Sequence, residues 1–343
     1  MSQASTYELF VGIDIAAASA TLVELPRAGS PSHPRTISQS PASHLALLEH
    51  FQATGLPLAR ILVVMEATGT YWIALASTLA QAGLAVSVVN PAQAHDFAKA
   101  LLKRSKTDAS DAEMLALFAA KLEPPTWTPP PAVYHELLQR LEQRESLLGL
   151  RQQLRNQLHA LVVQPIVIES VRARLESLIA TLSEQIKAVE AELRAAIELD
   201  EQWAVTAARL QTITGIGLLT AGWLLVRTLN FRVSRSGAQA AGYAGLVPRA
   251  RQSGSSVYRR PALDHSGDGR LRRALYMATL SAAQHNPLIE QFYKRLRARG
   301  KPVKVARVAA ARKLLEIAWA VATKEQEFDP SYGDRKKRCG EVG

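Results

Sequence analysis

The sequence predicts an α/β N-terminal domain, a helical coiled-coil middle and a mainly α C-terminal domain. Three observations carry this. Over the first 120 residues, short runs rich in branched aliphatic residues alternate with helical segments, the order of a mixed sheet flanked by helices. Pro124-Pro125 and Pro129-Pro130-Pro131 then interrupt any helix, because proline lacks an amide donor and restricts the residue before it. Beyond them the chain turns long, charged and heptad-patterned. The divisions expected are a catalytic domain over 1–123, a Pro-rich linker over 124–132, an antiparallel coiled coil over 133–200, a C-terminal domain over 201–325 and a basic tail over 326–343.

Alternation places strands near 7–14, 20–25, 35–39, 61–66 and 84–89, with helices near 42–53, 71–82, 91–102 and 108–121. In the middle segment Leu175, Ile179, Leu182, Ile186, Val189, Leu193 and Ala196 keep alternating spacings of four and three, the pattern of a coiled-coil seam. Pro165 separates two antiparallel arms, which serve either as an intramolecular hairpin or as a subunit interface. A chain of 343 residues needs two or three domains, and 48% hydrophobic with 21% charged residues excludes a mainly disordered protein. No apolar run reaches the ~20 residues that span a bilayer, and no basic-then-apolar leader opens the chain, so a soluble, non-secreted protein without a membrane partner is expected. The single cysteine, Cys339, excludes intrachain disulfides and multi-cysteine zinc sites.

Four acids stand where chemistry is expected. Asp14 closes one strand-like run, Glu66 closes another, and Asp108 and Asp111 open a helix. Each charge ends an apolar element, where an open α/β sheet exposes its crevice, and side chains three apart on a helix share a face. All-carboxylate donors suit a hard cation, so the set reads as an Mg²⁺ or Mn²⁺ site of a metal-dependent nuclease of the RNase H type. A lone Asp after a strand can equally be a turn former, and Asp108 could cap a helix starting near Ala109; capping does not account for Asp111.

The net charge of +11 is unevenly placed. Residues 1–100 hold four Lys/Arg against six Asp/Glu, residues 101–200 twelve against fourteen, and residues 201–343 twenty-five against ten. A basic C-terminal part favours a polyanionic partner, with salt-dependent binding. Gly215-Ile216-Gly217 between helical segments allows a tight turn that presents backbone amides to phosphate, as in helix-hairpin-helix DNA binders, or a plain interhelix turn. Ser253-Gly254-Ser255-Ser256 is flanked by Arg249, Arg251, Arg259 and Arg260, which could hold a phosphate that a serine attacks. Downstream, Arg270, Arg272 and Arg273 open a helix, and Lys294, Arg295, Arg297, Arg299, Lys301 and Lys304 suit phosphate contacts that position DNA without reading bases. The run Arg335-Lys336-Lys337-Arg338 extends this character into the tail.

Taken in order, Gly12-Ile13-Asp14, Glu66-Ala67-Thr68-Gly69-Thr70-Tyr71, Asn90-Pro91 and Lys106-Thr107-Asp108-Ala109-Ser110-Asp111-Ala112 form one set of motifs. Gly215-Ile216-Gly217, Ala244-Gly245-Leu246-Val247-Pro248, Ser253-Gly254-Ser255-Ser256 and Leu271-Arg272-Arg273-Ala274-Leu275-Tyr276-Met277 form a second. Together they resemble the DEDD transposases of bacterial insertion sequences, a group described as bridge-RNA-guided recombinases. The likeness runs from Gly12 to about Thr323. One departure stands after the first acid: the family commonly has Thr or Ser and then Lys, where this chain has Ile15-Ala16-Ala17-Ala18.

The resemblance implies an RNase H-like, Holliday-junction-resolvase-like N-terminal domain whose four acids bind Mg²⁺, at Asp14, Glu66, Asp108 and Asp111. It implies a nucleophilic serine at Ser253, with Ser255 and Ser256 as fallbacks, and a 5′-phosphoserine intermediate. The partners it implies are element-end (donor) and target DNA, a structured non-coding guide RNA, and further copies of the chain, dimers assembling to a tetramer in which acids and serine come from different protomers. The location is the bacterial cytoplasm, at the nucleoid. A junction resolvase using only acids and water, and a non-enzymatic nucleic-acid-binding protein, are the alternatives; a tyrosine recombinase using Tyr243, Tyr258 or Tyr276 is a weaker variant.

Overall fold

The computed structural model describes residues 7–67, 69–101, 107–253, 257–263 and 267–331, and the chain divides into two compact units, 1–129 and 130–343. Thr68, Lys106, Gly254, Ser255, Ser256, Cys339 and the basic run 335–338 of the sequence reading lie outside the described residues.

The first unit is built on a five-stranded sheet ordered β3-β2-β1-β4-β5. Its strands are β1 (Leu9–Ile15), β2 (Ser19–Pro26), β3 (Arg35–Ser38), β4 (Ile61–Glu66) and β5 (Ala85–Val89). Each falls within a residue or two of the run that alternation predicts. β1, β2 and β3 are antiparallel, whereas β4 runs parallel to β1 and β5 parallel to β4. β1 is central, so its apolar run Leu9-Phe10-Val11 is buried on both faces rather than alternating. Leu9, Val11, Ile13, Val63 and Met65 pack against α1 (Pro41–Ala53) and α2 (Trp72–Gln81) through Leu47, Phe51, Leu75 and Leu79. Phe10, Val23, Leu62 and Val64 pack on the other face against α3 (Pro91–Ala100) and α4 (Asp108–Leu122). The Pro-rich stretch folds back onto this unit: the Trp127 amide donates to the Val86 carbonyl at 2.6 Å, and its ring meets Trp72 edge-on at 5.3 Å.

The second unit is helical apart from one ribbon. α5 (Ala132–Val162) and α6 (Glu169–Glu198) run antiparallel, fixed by Arg144 Nε to Glu190 at 2.6 Å, Arg140 Nε to Glu192 at 3.2 Å and Arg151 Nη1 to the Ser183 hydroxyl at 3.3 Å. The two arms meet through residues 163–168, with Pro165 in the turn. The seam is not uniformly buried. Ile186, Val189, Leu193 and Ala196 are buried in the unit's core, while Leu175, Ile179 and Leu182 are half-buried, and Val163 and Ile166 at the tip are 71% and 82% exposed. Around that base pack α7 (Glu201–Gln211), α8 (Leu218–Thr228), α9 (Gly237–Tyr243), α10 (Gly269–His285), α11 (Pro287–Ala298) and α12 (Val303–Thr323). Between α9 and α10 stands the antiparallel ribbon of β6 (Arg249–Ser253) and β7 (Val257–Ala262), with a register shift between Arg249 and Arg251.

Candidate active site

Strand register puts the first two acids side by side. β1 and β4 pair in parallel up to Ile13 opposite Met65, so Asp14 and Glu66 are the next residues out on neighbouring strands, which lie ~4.8 Å apart. Ile13 and Met65 face α1 and α2; the period-two alternation therefore turns Asp14 and Glu66 to the opposite face, the one that α4 covers. α4 brings the other two. It starts at Asp108 and carries Asp111 one turn on, and both sit in its first turn.

The local reason for the helix start differs from the sequence reading. Thr107, not Asp108, is the cap: its Oγ1 accepts from the Ser110 amide at 3.2 Å, and the Thr107 amide donates to the Ser110 hydroxyl at 2.9 Å. The two aspartates are thus not needed as caps, and the positive end of the helix dipole favours both. Gly12 sets how closely they approach. A Cβ there would lie 2.1 Å from the Ala112 carbonyl oxygen and 2.2 Å from the Ala116 amide nitrogen, so α4 rests directly on the β1 backbone two residues before Asp14.

Asp14 feels the charges of the other three acids. The Asp14 carboxyl is pushed up to about 6, first by burial, then by the negative charges of Asp111, Asp108 and Glu66, against a lowering hydrogen bond from the Ile15 backbone. Among the described residues no three His, Cys, Asp or Glu side chains converge tightly enough to hold a metal ion as they stand. The two observations measure different things, since Coulomb repulsion extends beyond coordination distance. Repelling carboxylates are what a site built for a divalent cation presents without one, and the all-oxygen donor set fits Mg²⁺ or Mn²⁺.

The residues singled out in the second unit lie on the ribbon and on the helices around it. Ser253 ends β6, its backbone opposite Val257 in β7. Arg249 and Arg251 lie on β6 and Arg259 and Arg260 on β7, with Arg251 opposite Arg259. The neck of this excursion is tightly closed. A Cβ on Gly267, which has φ +83°, would lie 2.5 Å from the Gly245 amide nitrogen, and the Asp268 amide donates to the Tyr243 carbonyl at 2.9 Å. The Asp268 side chain, 6% exposed, caps α10 by accepting from the Leu271 amide at 2.8 Å and holds Arg227 Nε at 2.6 Å. Nothing in local sequence pattern marks this pair, 41 residues apart.

Other motif residues have structural partners. Arg272 Nη1 donates to the Ala244 carbonyl at 3.1 Å, and Arg270 pairs with Glu145 at 3.0 Å while its guanidinium lies 5.6 Å from the Trp223 ring centroid. Arg273 is exposed. Gly215, at φ +104°, is required by packing: a Cβ would lie 2.6 Å from that of Ala282 on α10. Gly217 has open space and precedes α8 as its N-cap. The Tyr243 phenol is pushed up, first by burial and then by Asp268, the wrong direction for an activated tyrosine nucleophile.

Comparison with known proteins gives the family. A transposase family model of the DEDD type matches residues 11–166, and the model described as Transposase IS116/IS110/IS902 family matches residues 207–294. The chain belongs to that transposase family. The pilin gene-inverting protein of Moraxella bovis is 35% identical over 270 residues, covering 78% of this chain and 81% of its own length. Its namesake from Moraxella lacunata is 33% identical over the same shares. The transposase for insertion sequence element IS1328 of Yersinia enterocolitica is 27% identical over 327 residues, 86% of this chain and 92% of that one. This transposase therefore acts on DNA, cutting and rejoining it. No described helix is long and apolar enough to cross a membrane.

Proposed function

We propose that this transposase is an insertion-sequence recombinase with an RNase H-like acid domain and a covalent serine step. The observation that carries the acid half is the convergence of Asp14, Glu66, Asp108 and Asp111 from two strands and one helix onto one face, felt directly at Asp14. Mg²⁺ or Mn²⁺, when bound there, would neutralise charge developing on a scissile phosphate. The chain's own part is to hold those oxygens on rigid elements, β1, β4 and α4, which share one buried core.

Ser253 is the nucleophile in this reading. Its Oγ attacks phosphorus, the P–O3′ bond breaks, the serine proton passes to a nearby base or water, and a 5′-phosphoserine and a free 3′-hydroxyl result. The bond energy is retained, so the 3′-hydroxyl of an exchanged strand can attack the phosphoserine and release Oγ. Arg249, Arg251, Arg259 and Arg260 share the ribbon with Ser253 and neutralise the phosphate; Arg273 and the Gly215–Gly217 turn add backbone contacts. The names pilin gene-inverting protein and transposase borne by relatives suit exchange of DNA segments.

A structured guide RNA selects donor and target by base pairing, and the protein works at the bacterial nucleoid as a homo-oligomer, dimers assembling to a tetramer that brings the acids of one protomer to the serine of another. Exposed Val162, Val163, Ile166 and Ile168 at the tip of the α5–α6 hairpin support an interface there, because such apolar clusters are rare on surfaces that stay wet.

The test is denaturing gel analysis of labelled element-end DNA with protein, the flanking non-coding RNA and Mg²⁺, comparing wild type, Ser253→Ala and Asp14→Ala. A protein–DNA adduct in wild type, lost in both variants and dependent on the RNA, is expected. Cleavage without an adduct that persists in Ser253→Ala would replace this reading with a water-using nuclease.

A further inference from the structure

We propose that the turn joining α11 to α12 is a docking surface for the phosphate backbone of duplex DNA, carried by Arg299, Lys301 and Lys304. The inference rests on the DNA-recombinase reading for the identity of its ligand, and on local electrostatics for everything else. Residues 294–304 hold six cations, Lys294, Arg295, Arg297, Arg299, Lys301 and Lys304, and no acid; all six are exposed.

Folding accounts for half of them. Lys294 pairs with Glu290 at 2.5 Å, Arg295 lies 5.4 Å from the Phe292 ring centroid, and Arg297 Nη1 donates to the Lys301 carbonyl at 2.5 Å. Arg295 and Arg297 also stand in the last turn of α11, where the negative end of the helix dipole favours cations. That helix closes with a two-bond turn: the Lys301 amide donates to the Leu296 carbonyl at 3.1 Å and the Gly300 amide to that of Arg297 at 2.9 Å, with Gly300 at φ +75°.

Folding does not account for the other half. Lys301 stands two residues before the 21-residue α12 and Lys304 is its second residue, at the positive end of its dipole. There a protein selected only for stability places acids, yet the first turn of α12 has none, and Pro302 at the N-cap offers no side-chain acceptor. Arg299 lies two residues before Lys301, and none of the three has an acidic partner among the described residues. Three exposed cations beside the positive end of a helix find no anion among the described residues, and an external one would be favoured there. A phosphodiester backbone supplies anions at a repeat that several cations can meet together.

The patch is built for paired rather than unpaired strands. Single-strand binders present exposed aromatic rings on which bases stack. Here the two nearby rings, Phe292 and Tyr293, are half-buried, and Phe292 is additionally covered by Arg295. The surface therefore holds a duplex by charge, without reading bases.

The experiment measures binding of full-length protein to a generic DNA duplex by fluorescence anisotropy across a salt series. The Arg299→Gln/Lys301→Gln/Lys304→Gln variant is compared with wild type and with Arg60→Gln/Arg140→Gln/Arg312→Gln, in which each arginine removed already pairs with a carboxylate. At roughly 0.9 per phosphate contact, the slope of log K against log salt should fall by about 2–3 in the first variant and by less than 1 in the second; near 0.15 M salt the first should bind about 10²-fold more weakly. Its Tm should hold or rise by about 1–3 °C, because the repulsion at the start of α12 is relieved. Equal slope losses in both variants, an unchanged slope in the first, or a loss seen with duplex RNA but not duplex DNA would overturn the proposal. If wild type itself fails to bind duplex DNA, the recombinase reading falls with it; if wild type binds and only the first variant keeps its slope, this surface alone is wrong.

Discussion

Gly12→Ala tests whether the approach of α4 to β1 is what assembles the acids. The added Cβ would lie 2.1 Å from the Ala112 carbonyl oxygen, 2.2 Å from the Ala116 amide nitrogen and 2.7 Å from the Leu115 carbonyl carbon, all backbone, so no side-chain rotation relieves it. Reaching ordinary contact at 3.4 Å requires α4 to retreat by about 1.3 Å. Overpacking of this kind costs about 1–3 kcal/mol, and at roughly 3–5 °C per kcal/mol for a unit of this size the melting temperature should fall by about 3–15 °C. The retreat carries Asp108 and Asp111 away from Asp14 and Glu66, and a displacement near 1 Å costs on the order of 10² in rate. Thermal denaturation with and without Mg²⁺, alongside single-turnover cleavage of element-end DNA, reads both effects. Gly149→Ala is the matched control, because its Cβ would meet nothing within 4 Å on the exposed face of α5; it should stabilise by about 0.5–1 kcal/mol and leave cleavage unchanged. A Gly12→Ala protein with wild-type melting temperature and cleavage would refute the argument.

Three further outcomes are expected. The raised Asp14 pKa, about 6 against 3.8, means that the metal-free fold binds this proton more tightly than the unfolded chain, so this group's contribution to stability is fullest below pH 3.8 and is lost as pH rises through about 6. Two units correspond to roughly 3 kcal/mol, which partial solvent exposure reduces to about 1–2; Asp14→Asn should therefore stabilise metal-free protein at pH 7.5 by about that much and flatten its pH dependence between 4 and 6 in urea titrations. Adding Mg²⁺ should raise the wild-type melting temperature by mass action and leave that of Asp14→Asn nearly unmoved. Gly267→Ala, which collides with the Gly245 backbone, should lower the single-turnover rate about 10²-fold while duplex affinity stays within about twofold; equal losses in rate and affinity would mean that the neck of the ribbon does not position Ser253.

The parts of this protein legible in its sequence are those decided locally. Alternation and flanking turns marked all five strands of the sheet, and the 3-4 spacing marked α6, because each depends on neighbours within a few residues. The places of the acids were legible for the same reason: Asp14 and Glu66 lie at strand ends, and Asp108 and Asp111 in the first turn of α4. What the sequence leaves out depends on distant partners. Packing also fixes Gly215, against Ala282 67 positions on, and Arg270 pairs with Glu145, 125 residues away. The neck formed by Gly245, Gly267, Asp268 and Arg227 has no periodic signature at all. The cap of α4 was less legible, since Thr107 stands one position before Asp108 and a threonine followed by serine at the third helical position makes a reciprocal cap that hydrophobic periodicity does not reveal.

That cap bears on how four like charges are kept together. Because the Thr107 side chain caps α4 by accepting from the Ser110 amide, Asp108 and Asp111 are not needed as caps, yet they remain in the first turn, where each gains about 0.3–1 kcal/mol from the helix dipole. The dipole thus offsets part of their mutual repulsion. Asp14 stands at the end of a strand without that dipole, and its carboxyl is pushed up to about 6 first by burial and then by the negative charges of Asp111, Asp108 and Glu66. Gly12 then prevents relief by distance, since it is the absence of a side chain that lets α4 lie against β1. A fold selected for stability alone would fill that position or neutralise one of the four charges; keeping both the glycine and the charges is what the proposed cation site requires.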